Sequence, residues 1–299
     1  MYVVLGASGN TGGVVARSLL ARKHRVRVVG RDAAHLQSLA SEGAEVFVSD
    51  LTNAASLSQA FNKADAAYVM VPPNPTSNDY RGYQNRVTDA IATAATNAGL
   101  KNIVSLSSFG ADKASGTGPV VGLHELEQKL NQVDGANVLH LRAGYFMENT
   151  LPQVGAIKMA GSTVGPLRPD LKLPFIATAD IGAAAADALL GLAFKGKQTH
   201  ELQGQRDLDY TEIAAIIGKA ISKPDLGYIQ APDEQLRAAF VQMGMSENFV
   251  GLMLEMCVAL NNGHMRTLEP RTSKNTTPTK YETFVAEKFV PAFEQKAAA

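Results

Sequence analysis

The chain has 299 residues, 28 Lys+Arg balanced by 28 Asp+Glu, and a single cysteine. Zero net charge leaves no global field to gather nucleic acid or an anionic membrane, and one cysteine excludes an internal disulfide and any multi-cysteine zinc site. With 45% hydrophobic and 19% charged residues, the composition is that of a folded globular chain and not a disordered one.

The first apolar run, "YVVL", starts at residue 2, with no basic stretch or small-residue cleavage site before it. No run of eighteen apolar residues follows anywhere. The sequence therefore predicts a cytoplasmic protein. Directly after "YVVL" comes "GASGNTGG", Gly6 to Gly13, and then the helical pattern "VVARSLLARK". This is G-x-x-G-x-x-G between a strand and a helix. Gly6 allows the tight turn, Gly9 lets a pyrophosphate approach the backbone, and Gly12 lets helix and strand pack closely. Ser8, Asn10 and Thr11 complete the loop, and the helix start offers N–H groups and a dipole to a phosphate.

Further strands are predicted at "RVRVV", "AEVFV", "AAYVMV", "KNIVSL" and "NVLHLR", with amphipathic helices over 13–23, 33–42, 53–62, 80–98 and 119–132. Strands apolar throughout and separated by helices mean a parallel sheet covered on both faces. Right-handed crossovers make it an α/β doubly wound sheet of the Rossmann type, with the ligand crevice at the carboxyl ends of the strands.

The second strand ends in "GRD". Gly30 and Arg31 stand where an NAD-specific site wants an acid, and a guanidinium suits a 2′-phosphate. A charge-assisted hydrogen bond of about 1.5–3 kcal/mol corresponds to a roughly ten- to hundredfold preference for NADPH over NADH. Asp32 either caps the next helix or faces the ribose. "VSDLT" places Asp50 and Leu51 beside the adenine, and "VMVPP" brings Val71 and Pro72 along the cofactor.

After residue 150 the regularity is lost. "GSTVGPLRPDLKLPF" reads as a hairpin or long loop, and "TADIGAAAADALLGLA" as a helix with Thr178 as N-cap. "DYTEIAAIIGKA" and residues 233–260 read as further helices. Thr279 with Glu282 forms a capping box opening a last helix. Cys257, inside the apolar run "VGLMLEMCVAL", reads as a buried small hydrophobe. The expected organisation is a dinucleotide-binding domain over 1–150, joined by 176–195, and a smaller, mostly helical substrate lobe over 151–175 and 196–299.

"GASGNTGG", "GRD", "SDLT", "SLSSFGAD" and "LRAGYFMEN" together resemble the NmrA-like branch of the atypical short-chain dehydrogenases. The likeness extends through "PFIATADIGAAAADAL" and "TPTKYETFVAEKF". The resemblance implies an NADPH-dependent reductase of quinones or triphenylmethane dyes, monomeric or homodimeric, or else a redox sensor that binds the dinucleotide without turnover. Within "LRAGYFMEN", Gly144 is assigned to the cofactor and Asn149 to the substrate.

Ordinary short-chain dehydrogenases use Tyr-x-x-x-Lys as a proton relay. None of the eight tyrosines here has Lys four residues later. The helix that should carry the pair reads "PVVGLHELEQKL", and His124 is the alternative: its imidazole either donates a proton or holds the nicotinamide ribose, or it is an ordinary surface histidine. "HELEQ" ends in Gln128 where a zincin needs His, so no metal is expected. Ser107 and Ser108 lie where the family places its substrate-orienting serine, Ser107 being the better placed, unless both hydroxyls bond local backbone. Phe109, Tyr145, Phe146 and Met147 either form an apolar wall beside the nicotinamide, suited to a flat aromatic or quinonoid acceptor, or pack the core. A quinone suits the missing Tyr/Lys pair because its reduced anion is delocalised; water, Ser107 or His124 then supplies the proton.

Overall fold

The computed structural model describes residues 1–295. Strand β1 (Tyr2–Leu5) leads into helix α1 (Asn10–Ala21), then β2 (Val26–Gly30), α2 (Gln37–Ser41), β3 (Glu45–Val48), α3 (Ala54–Phe61), β4 (Ala66–Val69), α4 (Tyr80–Asn97), β5 (Asn102–Ser108), α5 (Val121–Asn131) and β6 (Asn137–Ala143). Each of the six strands expected from sequence is present. The helix expected over 33–42 is split into a 3-10 turn, Ala34–Leu36, and the short α2.

The chain continues through β7 (Tyr145–Phe146), α6 (Gln153–Ala160), β8 (Thr163–Gly165), β9 (Leu173–Ile176), α7 (Thr178–Gly191) and β10 (Lys197–Leu202). Next come β11 (Asp207–Leu208), α8 (Tyr210–Ala220), β12 (Tyr228–Gln230), α9 (Asp233–Gln242) and α10 (Glu247–Asn261). The final helix runs from α11 (Tyr281–Phe284) through a π turn at Val285–Phe289 into α12 (Val290–Glu294).

Among the described residues, seven strands form one parallel sheet in the order β10-β6-β5-β4-β1-β2-β3. The order reverses at β1, so the crevice opens at the carboxyl ends of β1 and β4. Alternate residues of each strand serve opposite faces. Val3, Leu5, Val69, Ile103 and Val138 pack against α3, α4 and α5 through Leu57, Ile91 and Leu126. Val4, Val28, Tyr68, Val104 and Leu141 pack against α1 and α7 through Val15, Leu19 and Leu189. Burial on both faces is why these strands read as continuous apolar runs.

Strand β10 was not legible in sequence, and it belongs to the sheet although its residues fall within the stretch expected to form the smaller lobe. It docks on β6 in register from Lys197↔Val138 to Leu202↔Ala143. The Lys197 ammonium donates to the carbonyls of Leu130, Val133 and Ala136, at and just beyond the end of α5.

"GSTVGPLRPDLKLPF" is not a hairpin. Its two strands pair elsewhere, β8 with β12 in parallel, and β9 with both β11 and β7. Thr178 is not the N-cap of α7 either; it is the first helical residue, preceded by Ala177. The capping box at Thr279 does not form: Thr279 donates to Asp180 through its N–H and hydroxyl, and Glu282 pairs with Arg206. Helix α8 does begin as expected, on Asp209, whose carboxylate accepts from Glu212 N–H at 2.8 Å. Cys257 is buried, and burial pushes its thiol up to about 12, so it stays protonated and inert. The C-terminal elements gather around Phe175, Tyr210, Ile213, Tyr281 and Phe289.

Candidate functional site: a glycine cradle at the crevice

Gly6 adopts φ +64°, a left-handed conformation that favours glycine, and the Gly9 N–H closes the turn on the Gly6 carbonyl at 2.9 Å. Helix α1 then starts with Gly9 as its N-cap, which brings no side chain to its first amide groups. A Cβ on Gly12 would stand 2.4 Å from the Gly6 carbonyl oxygen, so only glycine lets the helix lie this close to the strand end. Ser8, Gly9 and Asn10 are exposed at the lip. The cradle therefore fits a pyrophosphate held by backbone N–H groups at a helix N-terminus.

Thr11 faces the other way. It is buried, and its hydroxyl oxygen accepts from the Tyr68 hydroxyl at 2.9 Å. Its side chain ties the loop down onto β4, and only its backbone is left to face a ligand. Burial raises the Tyr68 phenol well above its ordinary value, so it remains a donor.

At the next strand end Arg31 is exposed. Asp32 makes a local bond, its Oδ1 accepting from the Ala34 N–H at 2.8 Å, while the 3-10 turn starts on Ala33 with no side-chain cap. Asp50 bonds Thr52, through the N–H and the hydroxyl, both at 2.8 Å. Leu51 is 5% exposed and packs with Leu57 and Val69 in the sheet core, so its side chain is a floor and not a contact surface. Val71 and Pro72 are half-buried along the crevice edge. Sequence reasoning missed Tyr83 on α4. Its ring is half-buried, burial raises its phenol, and the charges of Arg31 (lowering) and Asp50 (raising) both act on it. Its only sequence signal was a position one turn into the helix that follows the fourth strand.

Gly144 is a glycine because β9 crosses it: a Cβ there would stand 2.2 Å from the Pro174 carbonyl oxygen, and its N–H donates to Leu202 at 2.9 Å. Strand packing alone requires glycine here. Phe109 and Met147, 3% and 1% exposed, pack into the C-terminal core with Phe175 and Tyr281 and do not face an open wall. Tyr145 and Phe146 remain partly accessible and Asn149 is exposed. The Tyr145 ring meets Phe175 edge-on with centroids 5.1 Å apart, and burial raises its phenol.

The carboxyl end of β5 holds a buried polar cluster. The Ser107 hydroxyl donates to Glu127 Oε1 at 2.6 Å. Arg142, its register partner on β6, grips both Glu127 oxygens, Nε to Oε1 at 2.9 Å and Nη2 to Oε2 at 2.6 Å. Glu127 is 2% exposed, a depth at which a carboxylate needs this fork of donors. That pairing raises the guanidinium still further. Ser108 takes the local alternative and bonds the Phe109 carbonyl at 2.9 Å. His124, half-buried one turn before Glu127, bonds the Ala111 carbonyl through Nδ1 at 2.8 Å. Among the described residues, no cluster of three His, Cys, Asp or Glu side chains is placed to hold a metal, and no helix is long and apolar enough to cross a membrane.

A family model described as the NmrA-like family matches residues 2–287. The NAD(P)H azoreductase of Xenophilus azovorans is 30% identical over 256 residues, 86% of each chain. Among solved structures, the NADPH-dependent quinone oxidoreductase of Escherichia coli complexed with NADPH superposes with a TM-score of 0.80 at 25% identity, covering 98% of this chain and all of that one. The triphenylmethane reductase of a Citrobacter species superposes with a TM-score of 0.76 at 20% identity over 95% of this chain and 98% of its own, a likeness of fold.

Proposed function

The chain belongs to the NmrA-like family, and on that footing we propose that it is an NADPH-dependent reductase that delivers hydride to a quinone or a similar conjugated aromatic acceptor. The observation that carries this reading is the glycine turn ahead of α1, where Gly6 holds φ +64° and a Cβ on Gly12 would stand 2.4 Å from the Gly6 carbonyl oxygen. Relatives named for NAD(P)H-dependent reduction of azo compounds and quinones support the acceptor class.

The first turn of α1 holds the pyrophosphate through backbone N–H groups, with Ser8 and Asn10 at its lip. Arg31 takes the 2′-phosphate, while Asp32 Oδ1 accepts from the Ala34 N–H. When bound, the reduced nicotinamide supplies the hydride. The chain's own part is orientation and exclusion of water, with Tyr145, Phe146 and Asn149 on the acceptor side and Ser107 and His124 at the β5 end. We assign residues 1–150 and α7 to the dinucleotide and residues 151–175 together with the segment after β10 to the acceptor. Strand β10 returns to the sheet.

Titration of the protein with NADPH and NADH, followed by NADPH consumption with a panel of quinones, azo dyes and triphenylmethane dyes, tests the proposal. Preferential NADPH binding and turnover on at least one class are expected. Tight binding without turnover on any acceptor would replace the reductase with a dinucleotide sensor.

A further inference from the structure

Both side chains that the sequence offers as proton sources have already given a proton to the protein. A hydroxyl has one proton, and that of Ser107 goes to Glu127 Oε1. A carbonyl only accepts, so the Nδ1 of His124 that meets Ala111 carries a hydrogen and spends it there. At Ser107 the direction is locked. Arg142 only donates and occupies both oxygens of Glu127, so the buried carboxylate is fixed in place as an acceptor.

Resting on the reductase reading, we propose that the Glu127–Arg142 pair holds Ser107 as a hydrogen-bond acceptor toward the crevice, so that the site selects conjugated acceptors carrying an N–H or O–H donor beside the reducible bond. A compound offering only carbonyl oxygens there sets lone pair against lone pair. Ser107 is 2% exposed, so the mismatch falls away from bulk water, where an unmatched polar group costs most. Discrimination of this kind is steeper than any that apolar fit supplies. Glu127 is a positioning residue: it acts through Ser107 and touches no ligand.

Reversal of polarity tests this. In Glu127→Gln the guanidinium still only donates, so the amide oxygen turns to Arg142 and the amide NH2 to Ser107. The serine proton is then released toward the crevice. The probes are 2-amino-1,4-naphthoquinone and the near-isosteric 2-methyl-1,4-naphthoquinone, and their Kd values are measured by calorimetry on the NADP⁺-loaded protein. The wild type is expected to bind the amino compound at least about tenfold more tightly, the ratio one net hydrogen bond supplies. Glu127→Gln should abolish or invert that ratio. Ser107→Ala, which keeps the Glu127–Arg142 ion pair, should reduce it without unfolding the chain. An equal ratio in all three proteins, or no binding of either quinone, overturns the proposal. NADPH consumption is recorded separately: turnover with an unchanged ratio leaves the reductase standing, and absence of turnover with a ratio that responds to Glu127→Gln rejects the reductase alone.

Discussion

Glu148 is the N-terminal cap of a helix that begins at Thr178. Both its carboxylate oxygens accept from the Thr178 N–H at 3.1 Å, and Oε1 also takes the Thr178 hydroxyl at 2.5 Å. The capped helix, α7, lies against α1 so closely that a Cβ on Gly182 would stand 2.6 Å from Val14 Cβ and 2.8 Å from the Thr11 carbonyl oxygen. The cap thus braces the far side of the helix that carries the phosphate cradle. Glu148→Ala leaves the two Thr178 donors unpaired in a partly buried site. A loss of about 1–2 kcal/mol is expected. It should appear as a lower urea midpoint at constant m-value, with Glu148→Gln, which keeps an acceptor, losing less. Coincident unfolding curves for all three would remove this role.

Arg31→Ala tests the 2′-phosphate assignment. Removing one charge-assisted contact of about 1.5–3 kcal/mol should weaken NADPH roughly ten- to hundredfold. NADH lacks the phosphate, and its affinity should stay within about twofold of wild type. The comparison is made by fluorescence titration of both nucleotides. Equal losses for the two would move the 2′-phosphate away from Arg31.

Two glycines separate a functional constraint from a merely tolerated one. Gly12→Ala places a Cβ 2.4 Å from the Gly6 carbonyl oxygen, a backbone atom that cannot step aside without opening the loop. Dinucleotide binding should be lost, with a fall in stability of about 1–3 kcal/mol, the range for overpacking. Gly155, inside α6, has nothing within 4 Å of its Cβ position. Gly155→Ala should stabilise the chain by about 0.5–1 kcal/mol and leave cofactor affinity unchanged. Thermal unfolding with and without NADPH reads both effects.

The central strands and the glycine loop were legible because their constraints are local. A strand covered on both faces is apolar at every position, and a cradle that excludes Cβ atoms writes glycine at fixed spacing. Strand β10 reads "KQTHEL" because it is the edge, with Lys197, Gln198 and Thr199 exposed, so neither a continuous nor an alternating apolar pattern marks it. The capping box at Thr279 failed because Asp180 and Arg206, distant in sequence, outcompete the local partner for each side chain. Phe109 and Met147 look the same in sequence whether they line a cleft or fill a core. The union of Ser107, Glu127 and Arg142 depends on the β5–β6 register and on the turn of α5, which no short motif encodes.

His140 predicts the acid limb of the stability curve. It lies between β5 and α5, 1% exposed, with Ser105 Oγ 2.7 Å from Nδ1 and Asn131 Oδ1 3.0 Å from Nε2. The asparagine oxygen accepts from Nε2–H, so Nδ1 is bare and accepts from Ser105, an arrangement that holds only the neutral ring. Burial lowers its pKa from 6.5 to about 4; Glu127 pulls the other way, and Arg142 and Lys197 add to the lowering. The unfolded chain therefore binds a proton between pH 6.5 and 4 that the folded chain refuses. The stability this group contributes is whole above about pH 6.5 and drains away as the pH falls toward 4, by about 3 kcal/mol in all. His140→Asn should be less stable than wild type at pH 7.5, through lost packing, yet show a shallower fall between pH 6.5 and 5. Urea unfolding at half-unit pH steps measures the two slopes. Parallel curves for wild type and variant would show that the ring gains a proton inside the fold, through a rotation of Ser105 that turns its own proton away.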